Sequence, residues 1–257
     1  MSDVERAAAR EWDARTYDRI AAPQTRWGSM VLERLPLDGD ETVLDAGCGS
    51  GRVTELLAER LPRGRVVALD SSAAMVEAAR SRLAPFGDRI EYVVADLGQP
   101  LPLAEPVDAI LSTATFHWVP DHDALFMNLA AVLRPGGLLV AQCGGVGNIA
   151  SVRRVLATIG DGWPGAAHYE TPLATVTRLD ASGFVDIACW LTDEPTRFEP
   201  GEQLETFLRT VILGGHLERL PAGERDGFVK AVANGLPEPL IDYVRLNIVA
   251  KRGRAAG

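Results

Sequence analysis

The sequence predicts an α/β protein built on a doubly wound, mostly parallel sheet. Short apolar runs alternate with helical-period segments from about residue 41. The first run, Val43-Leu44-Asp45-Ala46, leads into the glycine turn Gly47-Cys48-Gly49-Ser50-Gly51, and successive runs end on or near an acid at Asp45, Asp70 and Asp96. Strand, helix, strand in series is the pattern of parallel strands joined by right-handed crossovers.

Residues 3 to 20 and 24 to 35 read as helices, the second with Trp27, Val31 and Leu35 at helical spacing. After the first strand and its turn, a helix is expected from about Gly51 to Leu61. Arg65 to Leu69 is the second strand, ending on Asp70. Ile90 to Val94 is the third, followed by Ala95-Asp96-Leu97. A fourth covers Val107-Asp108-Ala109-Ile110 and a fifth Leu138 to Gln142, with Gly136-Gly137 expected to stop the preceding helix and open that strand. Beyond Cys143 the pattern loosens: a helix near 148 to 160, a Gly-Pro-rich loop from Gly160 to Gly165, and a helix over 171 to 182. Strands follow at Phe184 to Thr192 and Tyr243 to Ala250, with Gly201 to Asn234 mainly helical between them and placed as a cap over the crevice.

Glycines at 47, 49 and 51 remove Cβ atoms that would hold a ligand away from the backbone, and the following helix offers free N–H groups. A glycine bend after a strand also occurs for structural reasons alone. Three strand-end acids facing one crevice favour a ligand, since open α/β sheets bind there, and Asp70 stands where an acid can accept both ribose hydroxyls. A dinucleotide fold would place a small residue where Arg52 stands, and no G-K-[ST] follows for Walker-type binding. The compact G-x-G-x-G form behind Asp45 suits adenosine joined to an amino-acid tail, because an acid in the first turn repels phosphates and welcomes a cation.

The residues Val43 to Gly51, Val67 to Asp70, Val94-Ala95-Asp96-Leu97, Val107-Asp108-Ala109-Ile110 and Leu133-Arg134-Pro135-Gly136-Gly137-Leu138 resemble the class I S-adenosylmethionine-dependent methyltransferases. The resemblance implies a Rossmann-like, seven-stranded, mostly parallel sheet with a helical cap. It also implies S-adenosyl-L-methionine as cofactor and S-adenosyl-L-homocysteine as product. Asp45, Gly47, Cys48, Gly49 and Gly51 would meet the methionine tail, Asp70 with Ser71 the ribose, Asp96 with the Leu97 backbone the adenine, and the Thr113 backbone the amino-acid end.

Within that superfamily the chain is similar to the trans-aconitate methyltransferase-like group through Trp12–Tyr17–Arg26, Phe116-His117-Trp118-Val119-Pro120-Asp121-His122 and Leu220-Pro221-Ala222-Gly223-Glu224-Arg225. This implies a small-molecule acceptor, often an acid methylated on oxygen, and an amino-terminal helix bearing Trp12 and Tyr17 that folds over the cofactor. The expected organisation is a helical lid over 1–40, a cofactor-binding core over 41–146, and over 147–257 the rest of the sheet with cap insertions near 147–170 and 200–240.

His117 is the candidate base, beside the strand-four end, with a hydrogen-bonded structural role as its alternative. Trp118 either walls the acceptor pocket or packs the core. Arg26 suits a cofactor or acceptor carboxylate, or a surface ion pair. His216 is an acceptor-side candidate, with His168, Tyr169 and Arg209 as further cap-side possibilities. No metal site is expected. A carboxylate acceptor is already ionised and needs no base; C- or N-methylation of a natural-product scaffold would need His117. A binding module or cyclase that keeps the cofactor without transferring methyl is the remaining alternative.

A net charge of −9 gives no electrostatic footprint for nucleic acid. The absence of an Asn-Pro-Pro-Tyr or Asp-Pro-Pro-Tyr run after strand four removes the feature expected of amino-methylation on bases. Neither a signal peptide nor a membrane span is read, so a cytoplasmic protein is expected; oligomeric state is not legible. Cys48, Cys143 and Cys189 lack metal spacing and read as buried thiols.

Overall fold

A computed structural model describes residues 22–159 and 163–254. Strand β1 (Thr42–Ala46) lies inside the sheet because both its faces are apolar: Val43 points into one hydrophobic cluster and Leu44 into the other. It pairs in parallel with β2 (Arg65–Asp70) and β4 (Val107–Thr113). Outside these lie β3 (Ile90–Val94), parallel to β2, and β5 (Leu133–Gly144), parallel to β4. Strand β9 (Val244–Arg252) inserts antiparallel between β5 and β6 (Phe184–Asp193), giving the seven-strand order 3-2-1-4-5-9-6. The order reverses between β1 and β4, which opens a crevice beyond the carboxyl ends of those strands.

Helices cover both faces. On one, α1 (Ala22–Leu32), α2 (Arg52–Arg60) and α3 (Ala73–Leu83) seat Val31, Leu57, Ala79 and Leu83 on the sheet. On the other, α4 (His122–Val132) and α6 (Pro172–Ala181) contribute Leu125, Phe126, Leu129 and Leu179. Asp121 caps α4 by accepting the amides of Asp123 and Ala124.

A third cluster forms apart from these two. It joins α5 (Ala150–Ile159), α7 (Glu202–Phe207), α8 (Gly214–Glu218) and α9 (Arg225–Gly235) around Val152, Phe207, Leu208, Leu217 and Val229. Trp27 of α1 and Tyr243 at the foot of β9 tie it to the sheet, ring centroids 5.0 Å apart. A two-strand ribbon, β7 (Thr196–Arg197) with β8 (Leu240–Ile241), closes its edge. Among the described residues no helix is long and apolar enough to cross a membrane.

The Gly136-Gly137 pair does not stop α4 as expected; α4 ends at Val132, and β5 already begins at Leu133. The pairing jumps from Val107–Leu133 to Ala109–Leu138, so Pro135 to Gly137 form a bulge inside the strand. Gly136 takes φ 84°, and a Cβ on Gly137 would stand 2.7 Å from the Asp108 carbonyl.

Candidate active site

The turn between β1 and α2 is held from the neighbouring strand. The amides of Gly47 and Cys48 both donate to the Leu69 carbonyl, at 2.8 and 2.9 Å, and Gly49 N–H donates to Asp70 Oδ2 at 2.9 Å. Positive φ values of 90°, 53° and 85° at Gly47, Gly49 and Gly51 are what bend the chain so sharply. The two inner glycines differ in what surrounds them: a Cβ on Gly47 would lie 2.1 Å from the Thr115 hydroxyl, whereas on Gly49 it would meet nothing within 4 Å.

Beneath the turn, Asp45 is buried. Thr54 Oγ1 donates to its Oδ2 at 2.7 Å, and its Oδ1 has no hydrogen-bond partner among the described residues. Burial pushes the carboxyl up to about 7; the Thr54 hydrogen bond opposes this and the charge of Asp70 adds to it. Burial also pushes the Cys48 thiol well above its usual value.

The other strand ends bring their residues to the same rim. Asp70 closes β2, its Oδ1 accepting Ser72 N–H at 2.9 Å, with exposed Ser71 between. Asp96 is exposed beyond β3 and accepts Gly98 N–H at 2.8 Å; buried Leu97 gives its carbonyl to Asn128 Nδ2 at 3.0 Å. Thr113 is the last residue of β4, and Ala114 after it adopts φ 55°. Thr115 Oγ1 lies 3.0 Å from the Thr113 carbonyl and 3.2 Å from that of Gly47, linking the β4 end to the glycine turn.

His117, in the short turn Phe116–Trp118, is buried against Trp118 at 4.9 Å and stacked on Tyr169 at 5.8 Å. The Gly144 amide donates to its Nδ1 at 3.3 Å. Burial, then the charges of Arg245 and His122, hold the imidazole well below its usual value. The ring is therefore neutral with its proton on Nε2. His122, which opens α4, instead places Nε2 2.9 Å from the Phe116 carbonyl.

A family profile described as a methyltransferase domain matches residues 43–137. A trans-aconitate 2-methyltransferase of Azoarcus sp. is 34% identical over 233 residues, covering 88% of this chain and 89% of the relative. The chain belongs to the trans-aconitate 2-methyltransferase-like family of class I S-adenosylmethionine-dependent methyltransferases. A trans-aconitate 2-methyltransferase of Methylobacterium radiotolerans is 30% identical over 263 residues, 94% of this chain and 98% of the relative. Among solved structures, Haemonchus contortus phosphoethanolamine N-methyltransferase 2, in complex with phosphomonomethylethanolamine and S-adenosylhomocysteine, superposes with a TM-score of 0.64. It is 18% identical and covers 94% of this chain and 57% of its own, a likeness of fold.

The residues of this methyltransferase fit its cofactor. The carboxylate oxygen of Asp45 left without a donor can take a cationic neighbour, and the open side of Gly49 admits a ligand to the backbone. Asp70, at the end of β2, presents its carboxylate to the same turn, accepting the Gly49 and Ser72 amides.

Several expected positions have partners of their own. Arg26 on α1 forms an ion pair with Glu194, 3.1 Å apart, and Trp27 Nε1 donates to the same oxygen at 3.3 Å. His216 sits in α8 with its Nε2 3.2 Å from the Trp163 carbonyl and its ring 4.7 Å from the Trp163 ring. Arg209 pairs with Asp226 at 2.6 Å. Trp118 is half-buried against His117. Trp12 and Tyr17 lie outside the described residues.

The structure adds Arg245, which sequence reasoning passed over. It is buried, stacks on Trp27 at 4.6 Å, and its Nε donates to Gln142 Oε1 at 3.4 Å. Its signal was present: an arginine inside the apolar run Tyr243 to Ala250 has to be buried with the strand.

Proposed function

We propose that this methyltransferase transfers the methyl group to a carboxylate oxygen of a small organic acid. The observation that carries this reading is the state of His117. With Nδ1 engaged by the Gly144 amide and the ring neutral, the remaining nitrogen carries a proton and donates, so the residue best placed as a base has no lone pair free. Carboxylates need none, being ionised at pH 7. The relatives named trans-aconitate 2-methyltransferase agree with an acid acceptor.

In this reading the cofactor, when bound, supplies the electrophilic methyl on its sulfonium. Asp45 and the Gly47 to Gly51 backbone hold its amino-acid tail, with Cys48 and the Thr113 backbone alongside. Asp70 and Ser71 hold the ribose, and Asp96 with the Leu97 backbone the adenine. Trp118, Tyr169 and the cap helices keep water from the crevice and orient the acceptor, and orientation alone can lower the barrier by roughly 7 to 11 kcal/mol. His117 Nε2–H donates to an acceptor oxygen. The cap near 147–170 and 200–240 and a cytoplasmic setting belong to the same reading, while α1, within the span expected as a lid, packs on the sheet. A net charge of −9 disfavours a nucleic-acid partner.

The test is incubation with methyl-labelled S-adenosylmethionine and a panel of di- and tricarboxylic acids, phenols and amines. Label in a base-labile ester, with one S-adenosylhomocysteine per ester, is the expected result. Label confined to carbon or nitrogen, or conversion without S-adenosylhomocysteine, overturns it.

A further inference from the structure

The groups around His117 share one electrostatic character. Tyr169 stacks on the imidazole at 5.8 Å with 29° between planes, and Arg153 of α5 sets its guanidinium 5.7 Å from the same Tyr169 ring. The Tyr169 hydroxyl bonds to Asn148, and both Arg153 and Arg245 oppose the rise that burial imposes on it. Its neighbour Glu170 is taken by Arg178 at 3.1 Å. Arg153 itself is exposed and forms no ion pair among the described residues. The surroundings of Tyr169 thus hold an N–H donor, an amide and two guanidinium groups.

Removing a carboxylate from water unpaired is costly, so an acid with a second carboxyl has to find a cation as the first is aligned for reaction. Arg153 and His117 each lie within 6 Å of one ring centroid and so no more than about 11.5 Å apart. A tricarboxylic acid spans this with a hydrogen bond of about 3 Å at each end. Of the two arginines, buried Arg245 is engaged by Trp27 and Gln142, which leaves Arg153 to reach a ligand.

Resting on the carboxylate reading above, we propose that Arg153 is a specificity-determining residue. Its guanidinium binds the non-reacting carboxylate of a di- or tricarboxylic acceptor while His117 Nε2–H orients the reacting one. Arg153 is on the surface of α5, so replacing it leaves the core intact.

The experiment measures kcat and KM for trans-aconitate and for crotonate, a monoacid, in the wild-type protein and in R153Q, R153K and R154Q. S-adenosylhomocysteine affinity is measured by calorimetry in each. R153Q should raise KM for trans-aconitate at least about tenfold with kcat within about threefold, the effect of a lost charged contact. R153K should restore part of the loss, and S-adenosylhomocysteine should bind all four equally. The trans-aconitate over crotonate preference should shrink in R153Q and persist in R154Q. An unchanged KM in R153Q, or an equal loss in R154Q, overturns the assignment while leaving the carboxylate reading standing. Failure of the wild-type protein to esterify either acid removes both.

Discussion

The Thr54 hydroxyl donates to one oxygen of Asp45 at 2.7 Å and leaves the other buried without a hydrogen bond. A carboxyl buried with one oxygen unpartnered costs the fold stability. The unfolded chain loses this proton near pH 3.8 and the folded protein near 7, so the folded state holds the extra proton between these values. This group's contribution to stability is greatest at low pH, falls as pH rises from about 4 to about 7, and reaches a penalty of about 4 kcal/mol above that. Asp45→Asn should therefore raise Tm at pH 8, by up to about 8 °C, and by less at pH 5, measured by calorimetry without cofactor. The wild-type protein should bind S-adenosylhomocysteine more tightly at pH 8 than at pH 6, because its ammonium favours ionised Asp45, and Asp45→Asn should lose that dependence.

The two inner glycines of the turn should respond differently to alanine. Gly49→Ala adds a methyl where nothing lies within 4 Å, at φ 53°. It should cost the fold only about 1 to 2 kcal/mol yet weaken S-adenosylhomocysteine binding at least tenfold by filling the approach. Gly47→Ala meets Thr115 at 2.1 Å and should lose more stability than Gly49→Ala. Thermal unfolding beside calorimetric titration separates the two; equal binding by Gly49→Ala and wild type would remove the turn from the cofactor site.

His117→Gln keeps an N–H donor and should retain at least about a tenth of kcat on a carboxylic acid, with kcat at saturating cofactor flat from pH 6.5 to 8.5. His117→Phe should lose more. A residue acting as general base is worth about 10² to 10⁴ in rate, so a loss of that size in His117→Gln, with a bell-shaped profile in the wild type, would restore the base assignment.

Asn247 is wholly buried in β9 and serves five partners. Its Oδ1 accepts from Arg34 at 2.6 Å and Gln142 at 2.7 Å, and its Nδ2 donates to Thr192 Oγ1 at 3.0 Å and to the Arg245 and Trp190 carbonyls at 3.2 and 3.4 Å. Asn247→Asp should destabilise despite the arginine, by about 2 to 4 kcal/mol, because a carboxylate oxygen then faces acceptors that have lost their donor. Urea unfolding measures it; an increase in stability would show that the Arg34 contact outweighs the lost amide.

The strands and their acids were legible because each lies within one short stretch of chain. Val43 to Gly51 encodes a two-sided apolar strand, a turn with its glycines, and the acid at its edge, and no distant residue is needed to recognise them. In sequence, the bulge at Pro135 to Gly137 reads as a helix stop because glycine serves both, and only pairing against Val107 and Ala109 distinguishes them.

What the sequence by itself determined is the alternating sheet, the glycine turn and the family to which they belong. Tertiary structure decided the protonation of the site. Asp45 owes its raised carboxyl to burial, and His117 its tautomer to an amide 27 residues away on a neighbouring strand. It also decided which arginines belong together: Arg26 goes to Glu194, Arg245 to Trp27 and Arg153 to Tyr169. The physical reason is range. Periodicity and turn chemistry act over a few residues, whereas desolvation and charge depend on which distant segments pack together, and that is set only when the sheet and its helices close on one another.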